Sequence, residues 1–409
     1  MIDRKRLLER FLRYVQIDTT ADPNTDQYPS SEGQIALGRL LRDELLAMGL
    51  EASQDEHGIV ICTVPGNVDD APVVALNSHV DTSPETTGEN VRPQVIESYA
   101  GGDIPLGESG LSIKVSENPE LADLIDKTLI TTDGTTLLGG DDKAGLAIIM
   151  QVVETLCGHP EIRRGDVRIL FTCDEEIGRG VQHVDVPSLQ ADVCYTLDGG
   201  GHGDIDVETF SADGATVTVY GTNIHPSIAK DRMVNSIRGV AEFIHRMPRT
   251  TLAPEVTADR EGFLHPYDMT HAAVDKSVLK VLLRDFDTER LADHAQVLHS
   301  IAREVEAELP GCRVEVEVSE QYRNLGDGLK KEPRAVEFAV QAHERLGKPC
   351  KRAIIRGGTD GSRLTELGLP TPNLSSGQHN PHSPREFACL DEMMDACEVV
   401  VEILKIWAE

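Results

Sequence analysis

Leu7, Leu8, Phe11, Leu12 and Val15 fall on one face of a 3.6-residue repeat, which predicts a helix over 4–15. A second helix is expected after Pro29-Ser30-Ser31-Glu32. Ile35, Leu37, Leu40, Leu41, Leu45 and Met48 form its apolar stripe, a serine is available as N-cap, and Gly49 closes it. Short strands follow over 58–64 and 72–78. From about 85 to 135 the rhythm breaks into Gly-, Pro- and Thr-rich chain, read as an irregular hairpin insertion. The run 144–156 is an apolar helix leaving directly from Asp141-Asp142-Lys143. Strand-like apolar runs then occupy 167–173 and 193–197, so helix and strand alternate as in a largely parallel sheet flanked by helices.

The pattern then changes. Residues 215–220 alternate like a half-exposed strand, 233–247 are helical, 278–286 form a strand, 288–308 an amphipathic helix, and 312–318 alternate strictly. That βα…βαβ order predicts a compact α+β module of ferredoxin-like type. The first pattern resumes near 333, with a helix over 334–346, a Gly-rich loop at 356–362 and a last helix over 390–407. The fold class is therefore α/β, with an α+β module inserted in it. Residues 1–208 and 321–409 are expected to form one discontinuous domain, with 209–320 as the insertion. A chain of 409 residues has the length for two cores.

Composition narrows the function. With 39 basic and 69 acidic residues the net charge is −30, a surface that repels phosphate backbones, so no nucleic-acid partner is expected. No apolar run approaches the roughly 20 residues that span a bilayer, so no membrane partner is expected either. Ile2-Asp3-Arg4-Lys5-Arg6-Leu7 lacks the apolar core of a signal peptide, and a cytoplasmic protein is expected. The 8 cysteines make no C-x-x-C pair, which argues against a thiolate metal site or a disulfide framework.

The chemistry is carried by five short segments: Ser78-His79-Val80-Asp81, Gly140-Asp141-Asp142-Lys143, Asp174-Glu175-Glu176, Leu197-Asp198-Gly199 and Asn380-Pro381-His382-Ser383. The first, third and fourth close apolar strand-like runs, and open α/β sheets build their sites at strand C-terminal ends. His79 and Asp81 point to one side of an extended chain, so one can bind a metal while the other orients it. Asp174-Glu175-Glu176 places three acids together, which repel unless a cation or proton compensates. Histidines and carboxylates converging at such ends suit zinc-like metals. Spacing leaves open Asp141 or Asp142, and His379 or His382. Gly357-Gly358-Thr359-Asp360-Gly361 lacks the Lys-Ser/Thr of a phosphate loop, so no nucleotide site is expected.

Taken in order, these segments, with Glu386-Phe387 after His382, resemble the dinuclear zinc peptidases of the M20 clan. The finer wording resembles the tripeptide aminopeptidases among them. It is carried by Ser30 to Gln34, His79 to Pro84, Leu129 to Gly134, His225 to Lys230, Met233 to Ser236, Arg284 to Asp287 and Gly357 to Gly361, nearly the whole chain. Two departures stand out: Gly140 replaces a common Ala, and Pro381-His382-Ser383 replaces a common Phe-His-Gly. The resemblance implies two Zn2+ per subunit, with Co2+ or Mn2+ able to replace them. Asp141 would bridge them, His79 and Asp198 would complete one, and Glu176 and His382 the other. Glu175 would be the general base on the metal-bridging water, and Asp81 would steer His79. The inserted module would be a lid that also mediates a homodimer. In it His225 would steady the oxyanion, Arg284 would clamp the substrate carboxylate, and Asn235 would help bind substrate. The implied activity is removal of the N-terminal residue from tripeptides, with short peptides as substrates. The alternative is another amidohydrolase of the clan, a dipeptidase, carboxypeptidase or aminoacylase.

Overall fold

A computed structural model describes residues 2–107 and 109–409; Met1 and Glu108 lie outside it. The chain divides into two compact units, one of Met1–Val207, Gly328–Ala353 and Thr359–Glu409, the other of Glu208–Asp327 and Ile354–Gly358.

The first unit is built on a mixed sheet. Its strands run in the order Glu51–Gln54, Val60–Val64, Val167–Thr172, Val74–His79, Val193–Gly200, Asn373–His379, Phe387–Cys389, Leu129–Thr131 and Gln94–Ile96. The four strands from Val167–Thr172 to Asn373–His379 are parallel and form its centre. The margins run antiparallel. Val74–His79 is buried at all six positions, as a central parallel strand covered on both faces must be. The helix Gly140–Gly158 packs across three of the central strands, against Val74–His79, Val193–Gly200 and Asn373–His379. It is apolar nearly all round because it is enclosed: helices Arg4–Val15 and Leu390–Trp407 pack against it in turn. Truncating one of its buried side chains, Ile149→Ala for instance, would cost about 2–5 kcal/mol. Arg10 replaces an apolar residue on the buried face of the first helix. Its guanidinium binds Glu44 at 3.1 Å, Gln151 at 3.0 Å and Glu154 at 2.9 Å, tying three helices together.

The Gly- and Pro-rich stretch folds as short strands and turns. Ile104–Leu106 and Leu111–Ile113 pair as a hairpin over a small cluster that includes Tyr99, Leu121, Leu124 and Phe387. The second helix spans Glu32–Ala47 with Ser31 at its N-cap position, yet no serine side chain caps it. Ser30 is used elsewhere, as described below.

The second unit reads Ser211–Tyr220, Ser236–Arg246, Phe263–Ala272, Lys276–Asp285, Arg290–Glu308 and Arg313–Tyr322, a βαββαβ order. Its antiparallel sheet runs Phe263–Ala272, Lys276–Asp285, Ser211–Tyr220, Arg313–Tyr322, the ferredoxin-like arrangement. Both helices bury apolar residues against it, among them Val240, Phe243, Leu298 and Val305. The strand Phe263–Ala272 is absent from the sequence reading. It is an edge strand whose residues from Tyr267 onward are all exposed, so no alternation marks it.

Candidate metal centre

The parallel centre delivers two of the site's side chains. His79 is the last residue of Val74–His79, and Asp198 lies near the end of Val193–Gly200, beside it in the sheet. Asp141 and Asp142 enter from the start of the helix Gly140–Gly158, where both have non-helical backbone. Asp142 is wholly buried and occupied: its carboxylate accepts from His79 N at 3.3 Å and Gly145 N at 3.2 Å. Asp141 is free of such duties and turns toward the histidines. His79 Nε2 lies 3.0 Å from Asp141 Oδ1 and 3.8 Å from Asp198 Oδ1. His382 Nε2 lies 2.9 Å from Glu176 Oε2 and 3.3 Å from Asp141 Oδ2.

Two donor groups result, His79, Asp141 and Asp198 in one and Asp141, Glu176 and His382 in the other. Within each, one ligand atom per residue lies within 4.8 Å of the rest. Asp141 belongs to both. His379 lies outside both groups: it pairs with Glu392 at 2.7 Å and stacks on Phe387.

The backing of the site is equally specific. His79 Nδ1 donates to the Asp81 carbonyl at 3.2 Å, which fixes the proton on Nδ1 and aims the Nε2 lone pair at Asp141. Asp81 is fully buried, and its carboxylate also accepts from Glu175 N at 3.1 Å and Glu176 N at 3.0 Å. One residue therefore anchors both, its carbonyl the His79 strand end and its carboxylate the turn that carries Glu175 and Glu176. Asp174, at φ 60° just before that turn, accepts from Ser30 N at 2.8 Å, from the Ser30 hydroxyl, and from Gln34 Nε2 at 2.6 Å. Asp198 N donates to Asn373 Oδ1 at 3.0 Å, and Gln378 Nε2 donates to the Asp198 carbonyl at 3.1 Å. Ser30, Gln34, Asn373 and Gln378 escaped the sequence reading. The stretch Ser30 to Gln34 stands out in the sequence as a helix start with a serine available as N-cap and as part of the family resemblance, and neither points to Asp174.

The electrostatics test whether a cation fits. A lone pair of His79 Nε2 facing a carboxylate oxygen at 3.0 Å is repulsive unless a proton or metal lies between them. Without metal, protons fill that role. Burial opposes charging His382, but Asp141 and Glu176 outweigh it and raise its pKa to about 11. Burial and the neighbouring Asp141 charge push Glu176 up to about 8 and Asp198 up to about 7. Burial would raise Asp141 too, yet its hydrogen bonds to His382 and His79 hold it well below the usual carboxylate range. Glu175, in the same dense shell, is raised well above its ordinary value, first by burial and then by Asp198 and Asp360. Glu176 Oε1 is buried with no hydrogen-bond partner. Imidazole nitrogen and carboxylate oxygen are the donors that zinc-like ions take. The residues present fit two such ions.

His225, Asn235 and Arg284 belong to the second unit. Asn235 caps the helix Ser236–Arg246, its side chain accepting from Ile237 N at 2.9 Å. His225 Nδ1 accepts from Ser227 N at 3.2 Å within an exposed turn. Arg284 donates to the Asp213 carbonyl at 3.1 Å and lies over the Tyr322 ring.

Known proteins resemble this chain over most of its length. The profile described as "Peptidase family M20/M25/M40" matches residues 133–406. The chain is 43% identical over 409 residues to "Peptidase T" of Geobacillus kaustophilus (strain HTA426), covering 99% of each. A solved structure of a tripeptidase from Staphylococcus aureus subsp. aureus mu50 matches with a TM-score of 0.79 at 26% identity, covering 100% of this chain and 99% of that one. The aminopeptidase PepT from Bacillus cereus ATCC 10987 matches with a TM-score of 0.77 at 23% identity, covering 100% of both. A profile match over two-thirds of the chain and a full-length relative at this identity leave one conclusion: the chain belongs to the M20/M25/M40 peptidase family.

Proposed function

We propose that the chain is a metal-dependent aminopeptidase that removes the N-terminal residue from tripeptides, with Glu175 carrying the proton. The observation that carries this reading is the shared position of Asp141 in two overlapping donor groups, with Glu175 on the turn that supplies Glu176. His79, Asp141 and Asp198 would hold one ion, and Asp141, Glu176 and His382 the other. Zinc suits the donor set, and Co2+ or Mn2+ would be accepted by the same atoms. Bound metal supplies Lewis acidity, lowering the pKa of a water and polarising the scissile carbonyl.

The residues of the chain do the rest. Glu175 is adjacent to a donor yet belongs to neither donor group, so its carboxylate is left to accept a proton from the attacking water and return it to the departing amine. Asp81 holds the Glu175 and Glu176 amides together and keeps the His79 ring in one tautomer. In the second unit, His225 and Arg284 are the groups offered for the oxyanion and the substrate carboxylate. The cap made by Asn235 gives that residue a structural duty, and any substrate contact would come in addition to it. That unit would act as a lid and join two copies of the chain. Among the described residues, no helix is long and apolar enough to cross a membrane, and the working compartment would be the cytoplasm.

Elemental analysis paired with turnover tests the reading. The expected result is two metal equivalents, tripeptide hydrolysis lost on chelation and restored by Zn2+, and little action on the dipeptide or the C-terminal amide. Glu175→Gln is expected to lower kcat by about 10²–10⁴-fold while both metals stay bound. Full activity after exhaustive chelation, or in Glu175→Gln, would overturn it.

A further inference from the structure

Glu386 is the one acid of the His382 segment that the proposed chemistry leaves unused. It stands four residues after His382 and is fully buried. Its carboxylate accepts three backbone N–H groups. Oε2 takes those of Leu138 and Gly139, each at 2.8 Å, and Oε1 takes that of Asp141 at 3.0 Å. These amides line the turn that delivers Asp141, the donor common to both groups. A Cβ at Gly140 would stand 3.1 Å from Oε1, so the turn closes directly on the carboxylate with no side chain between. Glu386 is also tied to the other ligand. Its N–H donates to the Ser383 carbonyl at 3.1 Å, closing the turn behind His382, whose own carbonyl accepts from the Thr86 hydroxyl at 2.7 Å.

A buried carboxylate is retained against its desolvation only where several donors meet it. Here three amides do, with the buried Lys143 ammonium as nearby positive charge. An apolar side chain would fill the same volume but would leave those amides without acceptors and the turn free to shift. Geometry of this kind is what fixes metal ligands from one layer out.

We propose that Glu386 is a positioning residue. Its carboxylate sets the spacing between Asp141 and His382, and through it the affinity of the ion they would share with Glu176, while touching neither metal nor substrate. The inference rests on the two-metal reading above.

The test uses the full chain as Glu386→Gln and Glu386→Asp, with Arg10→Lys as a destabilised control remote from the site. Zn2+ affinity is read by competition with a chelator, coordination by the visible spectrum of the Co2+ form, and metal-free stability by thermal melting. Glu386→Gln keeps the shape but places an amide donor among amide donors. It is expected to weaken one of the two Zn2+ sites by about 10–100-fold and to alter the Co2+ spectrum. The loss in hydrolysis should fall on kcat, with KM held. Glu386→Asp, which keeps the charge but shortens the reach, should lie between it and the parent. Arg10→Lys should melt lower yet bind both ions as the parent does. Parent-like Zn2+ affinity in Glu386→Gln would overturn the proposal, as would an affinity loss no larger than that of an equally destabilised Arg10→Lys. If Glu386→Gln does not fold, parent-like affinity in Glu386→Asp overturns it and a selectively weakened site supports it. A parent protein that takes up no Zn2+ would instead sink the metal reading itself, and this inference with it.

Discussion

The two donor groups share Asp141 but are made of different material. His79 and Asp198 sit at or near the ends of strands in the parallel centre, and their side chains are 2% and 8% exposed. Their positions follow from strand register, which many backbone hydrogen bonds fix together. Glu176 and His382 sit on turns. His382 has φ 62°, and its side chain is 35% exposed. That side of the centre is held by single side-chain clamps from distant chain: Asp81 on the Glu175 and Glu176 amides, Thr86 on the His382 carbonyl, Glu386 on the Asp141 turn. A register cannot be loosened one bond at a time, whereas a clamp can. The first position should therefore hold its ion rigidly, and the second should be the one that exchanges.

The largest effect is expected where the comparison has no asymmetry to offer. Asp141→Asn removes a charged donor from both groups, so both ions should be lost. Hydrolysis should fall by more than the roughly 10²–10⁴-fold attributable to a proton-carrying group alone. Elemental analysis alongside turnover checks this, and one ion retained at full occupancy would break the picture of a shared donor. The next effect is the asymmetry itself. His382→Ala should release one equivalent of metal and leave the other bound. It should lower the melting of the metal-free protein less than His79→Ala does, because its side chain is 35% exposed and its pairing with Asp141 and Glu176 is screened by solvent. His79→Ala should lose metal and also melt lower, because it empties a buried position whose Nδ1–H satisfies the Asp81 carbonyl. Equal behaviour of the two variants in both assays would erase the distinction between strand-built and clamp-built positions.

How far each side could be read from the sequence follows the same division. Strong periodicity marked the helices now seen at Arg4–Val15, Arg334–Leu346 and Leu390–Trp407, and apolar runs marked the strands that carry His79 and Asp198. Those signals are local, so the strand-end placement of the acids was legible from residue types alone. The choice between neighbours was not. Asp142 is distinguished from Asp141 by bonds to His79 N and Gly145 N, and His379 from His382 by its pair with Glu392. Neither leaves a trace in spacing, and the family resemblance, not pattern, singled out Asp141 and His382. The clamps were less visible still: Asp81 reaches amides more than ninety residues away, and Gln34 meets Asp174 across 140. Asn235 shows the converse. An Asn directly before a helix is an ordinary cap, and the resemblance drew attention from that simpler duty.

The smallest expected effect probes what stands behind the strand-built position. Asp198 N rests on Asn373 Oδ1, and Asn373 Nδ2 in turn donates to Asp206 at 2.9 Å. Asp206 is 7% exposed, and burial, with the charge of Asp204 added, raises its pKa to about 7. In the unfolded chain an aspartate titrates near 3.9. Between those values the folded state holds a proton that the unfolded state has released, so this group contributes stability below about pH 4 that is lost as pH rises toward 7. Asp206→Asn keeps an oxygen for Asn373 and removes the titration. Measured as the difference between parent and variant, which cancels the titrations of the metal ligands, the variant should gain on the parent from pH 4 to pH 7 and run level with that gain above it. Because the strand pairing of Asp206 with Asn373 remains, metal affinity at His79 and Asp198 should stay within a few-fold of the parent. Thermal melts of the metal-free proteins across that range decide the first point and chelator competition the second. A large affinity loss would mean that the strand-built position also depends on a single side-chain clamp, and the contrast between the two halves of the centre would fail.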